Sequence, residues 1–208
     1  MNIFDKILYI NLEHREDRRA QAEIEFEKQG IIAERIEAIK GNPDNLSTSL
    51  LPGDVGCILS NIKCLSLAKE NNWGTVLIFE DDVEFRPFAS VLFKEWWKGV
   101  PEDWDMVYLG GNHFGCDSRL KNAPRIVPVT KHIYRTSHTL ACHAFVIKNT
   151  MYDHMIENLN KLENTNDMVY AQAQTKFNVY IFKPNLAWQR AGFSDINNIE
   201  CNYDFMKD

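Results

Sequence analysis

An α/β sandwich around a mixed, mainly parallel central sheet is the fold class predicted here, on three observations. Short apolar runs of strand length alternate with stretches of helical period along the chain. One run, Thr75-Val76-Leu77-Ile78-Phe79, is continuous enough to be a strand buried on both faces, as inner strands of a parallel sheet are. At 208 residues and 45% hydrophobic content the chain can fill one substantial core. No linker-like stretch divides it, so residues 1–208 are read as a single domain.

Taken in order, Lys6 to Leu12 is a first buried strand. The charged stretch His14 to Arg19 follows, then a helix over Ala20 to Gln29 with Gly30 as its C-terminal cap. Arg15, Arg18 and Arg19 thus follow a strand end, where guanidinium groups can clamp a diphosphate, although helix starts also carry charge merely to stay solvated. Ile31 to Ile39 alternates like a strand with one face less buried, and Gly41 to Gly53 has the composition of a surface loop, inert or lid-like. From Asp54, read as an N-cap, apolar positions recur at helical spacing to Ala68, and Asn71 to Gly74 turns the chain into the central run Thr75 to Phe85. Arg86-Pro87 opens a short helix with Phe88, Val91, Leu92 and Trp96 on one face. Asp105 to Gly111 is the next buried strand, closed by Gly110 and Gly111, a pair that lets backbone approach a ligand. His132 to Thr136 and Leu140 to Ile147 are two more strands, Asn149 caps a helix to about Leu159, Asn166 to Thr175 is helical, and Val179 to Phe182 is a short strand. The first half of the sheet is expected to be largely parallel; strand order is not legible.

The central run ends in Glu80, Asp81 and Asp82. Open α/β sheets bind ligands at the carboxyl ends of their strands, and three adjacent negative charges repel unless a cation or protons intervene. A divalent metal is the natural partner. Side chains alternate along an extended segment, so Glu80 and Asp82 share one side and are the pair able to hold one hard cation. Acidic residues also end strands simply as solvated turn formers, and a short motif takes its meaning from context. A phosphoacceptor receiver domain also ends a strand in paired acids, but near its chain start and with a later aspartate ending a strand, whereas Asp105 begins one. Zinc is weakly indicated: His113 with Cys116, then His138, Cys142 and His143, lack a close cysteine pair.

The formal net charge of -6 argues against nucleic acid as a partner, so an anionic ligand has to be bound locally against the overall field. No apolar run approaches a membrane span or a signal-peptide core, which makes a cytoplasmic setting the expectation, with peripheral membrane contact compatible with it. Five irregularly placed cysteines fit that setting as free thiols, and Cys57 and Cys64 lie too far apart along one helix to bridge.

Several of these stretches together resemble glycosyltransferase family 25, which includes bacterial lipooligosaccharide galactosyltransferases and collagen hydroxylysine galactosyltransferases. The resemblance runs through Tyr9-Ile10-Asn11-Leu12 with Arg15, Asp17 and Arg18, then Gly56-Cys57 with Ser60, then Leu77 to Val83. It continues in Trp104 to Gly110, Thr139 to Ile147, Asp167, and Pro184 to Ser194, covering most of the chain in order. It implies a GT-A-like three-layer sandwich and an inverting transfer of a sugar from a UDP-sugar to a hydroxyl of an oligosaccharide or glycan. In that reading Glu80 and Asp82 carry Mn2+ or Mg2+, with Asp81 behind them or on the ribose. Asn11, Arg15, Arg18, Glu80, Asp81 and Gly110 face the donor nucleotide, and Asp167 is the base. Two departures stand out. Ser60-Asn61 replaces a common Ser-His and Cys64 an aromatic, and no histidine follows His154 to serve as a C-terminal metal ligand, leaving Gln189, Asp195 or water. These leave room for a divergent member, bacterial or from a large virus, or for an inactive module that binds sugar or protein.

Overall fold

The computed structural model describes residues 3–42, 48–113, 116–117, 123–196 and 198–207. Its strands are β1 (Lys6–Asn11), β2 (Glu34–Glu37), β3 (Thr75–Glu80), β4 (Val83–Phe85), β5 (Met106–Tyr108), β6 (Cys116–Asp117), β7 (Ala123–Pro124), β8 (Ile126–Pro128), β9 (Ile133–Thr136), β10 (Ala144–Lys148), β11 (Val179–Phe182), β12 (Ala187–Gln189), β13 (Gly192–Ser194) and β14 (Ile199–Cys201). The helices are α1 (Glu16–Gln29), α2 (Pro52–Glu70), α3 (Ala89–Trp96), α4 (Asn149–Leu159) and α5 (Asn166–Ala173).

Eight strands form the main sheet in the order β2-β1-β3-β10-β5-β11-β9-β8. β1 pairs in parallel with both β2 and β3, and β5 in parallel with β11, whereas β10 lies antiparallel between β3 and β5. β9 and β10 alone oppose the direction shared by the other six strands of this sheet. The alternation of side chains sends each strand's residues into two cores. Leu8, Ile78, Phe145 and Ile181 pack with Ile58, Leu65, Met151 and Tyr170 of α2, α4 and α5. Tyr9, Phe79, Val146 and Phe182 pack on the other face with Phe26 of α1 and Phe93 of α3. Helices thus cover both faces, the three-layer α/β sandwich expected of a GT-A-like chain. No helix among the described residues is long and apolar enough to cross a membrane.

Several boundaries differ from expectation for local reasons. α1 starts at Glu16 rather than Ala20, because the acids Glu16 and Asp17 suit the positive end of a helix and draw the charged stretch into its first turn. Its predicted stop holds: Gly30 takes φ 64 and its N–H returns to Glu27 O. α2 begins at Pro52, so Asp54 is not the N-cap but sits in the first turn, its carboxylate accepting from the Leu51 N–H at 3.3 Å. β2 keeps only four of the nine residues read as strand. The central run does not continue through its acids: β3 stops at Glu80, Asp81 and Asp82 form a turn, and β4 leaves to pair with β12. In α3 the buried residues are Ala89 and Phe93; Phe88, outside the helix at φ 61, is 75% exposed and Val91 62% exposed, correcting the predicted face. Leu140 to His143 lie outside strand β10, and Asn149 is the first residue of α4 rather than its cap. The loop from Gly41 to Gly53 falls in part outside the described residues, as does the side chain of Cys116 in the weighed zinc cluster.

Candidate functional site

A cleft of about 660 Å³ opens over the carboxyl ends of β1 and β3, and Glu80, Asp81 and Asp82 all line it. The turn after β3 is what brings the third acid round: an extended chain would have sent Asp81 to the opposite side. Across from them, α5 contributes Asn166 and Asp167, α2 contributes Cys57 and Asn61, and the C-terminal segment contributes Gln189, Arg190 and Asp195.

The three acids differ in their surroundings. Asp81 is buried and held at both oxygens, by Asn11 Nδ2 at 2.7 Å and Arg18 Nη1 at 3.0 Å. Asp82 lies 3.6 Å from the same Arg18 nitrogen with the Gln189 side chain nearby, but among the described residues its buried Oδ1 has no partner. Burial pushes the Asp82 carboxyl up to about 6, against the pull of Arg18. Glu80 is pushed well above the usual carboxylate range, first by burial and then by the charges of Asp82 and Asp167. The Cys57 thiol lies 4.0 Å from Glu80 Oε1, a weak contact.

Asp167 sits in the first turn of α5, where its Oδ2 accepts from the Ala141 backbone N–H at 2.9 Å. Ala141 is at φ 73, outside the conformations most side chains adopt, and that geometry aims its N–H at the carboxylate. The neighbouring Cys142 backbone N–H and thiol also favour the charged form of Asp167. Burial raises the Asp167 carboxyl, and these donors hold it back.

The donor-facing assignments fare unevenly. Arg18 lines the cleft between Asp81 and Asp82 and also donates to Phe193 O at 2.6 Å. Arg15 is not among the lining residues; it is the N-cap residue of α1, paired with Asp17 and Asp195. Asn11 is a brace, donating to Asp81 and Arg15 O and accepting from Arg35 Nε at 2.9 Å. Gly110 corrects the reading that its missing side chain admits a ligand: a Cβ there would stand 1.9 Å from Ala187 O, so the space is taken by the chain's own backbone. Asn61, where the family resemblance led one to expect histidine, is buried and donates to Cys57 O at 3.1 Å. The sequence offers Cys57 only within a family-like motif, Cys142 within another and in the weak zinc cluster, and Asn166 only as a helix start. What marks them as one site is the convergence of α2, α5 and the segment before β10 on the end of β3.

Among the described residues no three His, Cys, Asp or Glu side chains group closely enough to hold a metal by themselves. Glu80 and Asp82 nevertheless make a donor set that fits a hard cation: two carboxylates in mutual repulsion, one with an unpartnered buried oxygen. Mg2+-like ions are commonly bound by one or two carboxylates, with phosphate oxygens and water completing the shell.

The model of glycosyltransferase family 25 (LPS biosynthesis protein) matches residues 4–170. Among curated relatives, procollagen galactosyltransferase 1-A of Xenopus laevis is 26% identical over 145 residues, 59% of this chain and 24% of that protein. The glycosyltransferase 25 family member of Drosophila melanogaster is 32% identical over 149 residues, again 59% of this chain and 24% of that protein. The inactive glycosyltransferase 25 family member 3 of Mus musculus is 29% identical over 133 residues, 51% of this chain and 22% of that protein. The chain therefore spans about a quarter of the length of these relatives.

Proposed function

This chain belongs to glycosyltransferase family 25, and from that membership we propose that it is a metal-dependent, inverting glycosyltransferase moving a hexose from a UDP-sugar to a hydroxyl of an oligosaccharide or glycan. The observation that carries this reading is the acidic turn after β3, where Glu80 and Asp82 line one cleft and a buried Asp82 oxygen has no partner among the described residues. Mn2+ or Mg2+ held by these two residues would neutralise charge on the leaving nucleoside diphosphate. Asp81, clamped by Asn11 and Arg18, keeps the turn in place and is the acid free to orient a ribose hydroxyl only through its carboxylate edge. Arg18 offers a guanidinium to the diphosphate. Asp167 takes the acceptor hydroxyl's proton; a base with its pKa raised toward the working pH by burial suits that task.

The second reading is a module that binds sugar or protein without turnover. The observation on its side is Arg18, which already sets a positive charge against Asp81 and Asp82. One experiment separates them: a panel of nucleotide sugars with Mn2+, scored for thermal protection and for release of free sugar, in the wild type and Asp167→Asn. Transferase chemistry predicts that one UDP-hexose protects and that turnover onto acceptor falls by ~10² to 10⁴ in the variant with donor affinity near wild type. Protection without any turnover in the wild type would favour the binding module.

A further inference from the structure

Among the uncharged, buried polar side chains that line the cleft, all but one have a hydrogen-bond partner. Asn11 is satisfied by Asp81, Arg15 O and Arg35, Ser60 by Gly56 O and the Ile39 N–H, and Asn61 by Cys57 O and Tyr170. Behind them Gln174 holds Thr139 through both ends of its carboxamide. Asn166 is the exception: it is 3% exposed, lines the cleft, and neither its Nδ2 nor its Oδ1 has a hydrogen-bond partner among the described residues. Leaving both ends of a buried carboxamide unpaired is costly, and an apolar side chain of the same size would avoid that cost. It stands directly before Asp167 in the first turn of α5.

We propose that Asn166 is a specificity-determining residue that hydrogen-bonds a hydroxyl of the sugar positioned beside Asp167. The chemistry matches at both ends. A carboxamide donates and accepts at once, as a sugar hydroxyl does, whereas the neighbouring carboxylates only accept. The χ2 torsion of asparagine is broad, so the amide can turn toward the cleft its residue already lines. The hydroxyl belongs to the donor hexose or to the acceptor sugar, two sources with one chemistry. This inference rests on the glycosyltransferase reading of the same cleft.

The test compares the wild type with Asn166→Leu, which keeps the number and branching of the side-chain heavy atoms and removes the polarity, and with Asn166→Ala as a smaller second variant. Donor hydrolysis is followed with UDP-galactose, UDP-glucose and their monodeoxy analogues; transfer is followed onto methyl glucosides and galactosides and their monodeoxy analogues. In the wild type, one deoxy position should lower kcat/KM by about 10- to 100-fold, and in both variants that penalty should shrink to within about threefold. Loss of the penalty in the hydrolysis arm assigns the hydroxyl to the donor, and loss in the transfer arm alone assigns it to the acceptor. The melting temperature of Asn166→Leu should stay equal to that of the wild type or rise, the reverse of its effect on selectivity. Unchanged deoxy-sugar discrimination in both variants would overturn the inference while leaving the enzyme reading intact, and would make Asn166 the holder of an internal water. No turnover by the wild type with any of these sugars would overturn the UDP-hexose reading and this inference with it.

Discussion

Asp82 concentrates the conflict in the cleft: a carboxylate beside Glu80, with one buried oxygen that has no partner among the described residues. Its carboxyl is raised from 3.8 to about 6, so the folded chain binds a proton there more tightly than the unfolded chain does. The sign follows from linkage. The stability contributed by that proton is fully present below about pH 4 and is lost as the pH rises through about 6, an effect on the order of 3 kcal/mol for a shift of this size. Asp82→Asn should therefore raise the melting temperature of the metal-free protein at pH 7 to 8 and flatten the loss of stability between pH 4 and 6. A divalent ion competes with the same proton, so Mn2+ should stabilise the wild type above pH 6, lose that effect as the pH falls below 6, and do little for the variant. Calorimetric melts across pH, with and without Mn2+, measure all of this; a variant as pH-sensitive as the wild type would place the conflict at Glu80 instead.

At the level of elements, the site depends on β12 reaching back to β4, because that pairing carries Gln189 and Arg190 to Asp82. Arg190 N donates to Asp82 O at 2.6 Å, and Leu186 N reaches Leu109 O at 2.7 Å. Gly110 permits this approach, since a Cβ would meet Ala187 O at 1.9 Å. Gly110→Ala is thus expected to push β12 away and to cost about 1–3 kcal/mol in urea unfolding, as overpacking does. Were Gly110 instead a donor contact, the same variant would keep its stability and lose only UDP affinity. This contrast shows where the sequence was legible. β3, β11 and the end of α1 could be read because a continuous apolar run, a short β-branched run and a glycine act locally. The turn at Asp81-Asp82 could not, because it depends on β4 finding β12 about a hundred residues later, and the insertion of β10 between β3 and β5 is equally non-local. Of the site, the three acids, Arg18 and Asp167 carried family-like motifs, whereas Asn166 became visible only through the partners it lacks.

Over the whole molecule, the first helix and the last hairpin meet above the cleft. Arg15 pairs with Asp195, while Arg18 holds Phe193 O with one nitrogen and faces Asp81 and Asp82 with another. Both arginines follow the same strand end, yet the geometry gives them different work. Arg15 joins two partly exposed surface groups, a kind of pair worth up to about 1 kcal/mol. Arg15→Ala should accordingly lower stability slightly and leave UDP affinity at saturating Mn2+ within about threefold. Arg18 is the guanidinium standing between two carboxylates in a chain whose net charge is -6. Its removal acts in opposite directions on two ligands. Without nucleotide, Asp82 loses a competing positive charge, so Mn2+ should bind about tenfold more tightly; at saturating Mn2+, the diphosphate loses a charge-assisted donor, so UDP should bind about tenfold more weakly. Isothermal titration of Mn2+ and then of UDP into Arg18→Ala, with circular dichroism to confirm folding, reads both effects on one protein. If Arg18 served only to fasten the hairpin to α1, both affinities would fall together or neither would change, and the diphosphate contact would then have to come from Arg190, which also reaches the Asp82 backbone.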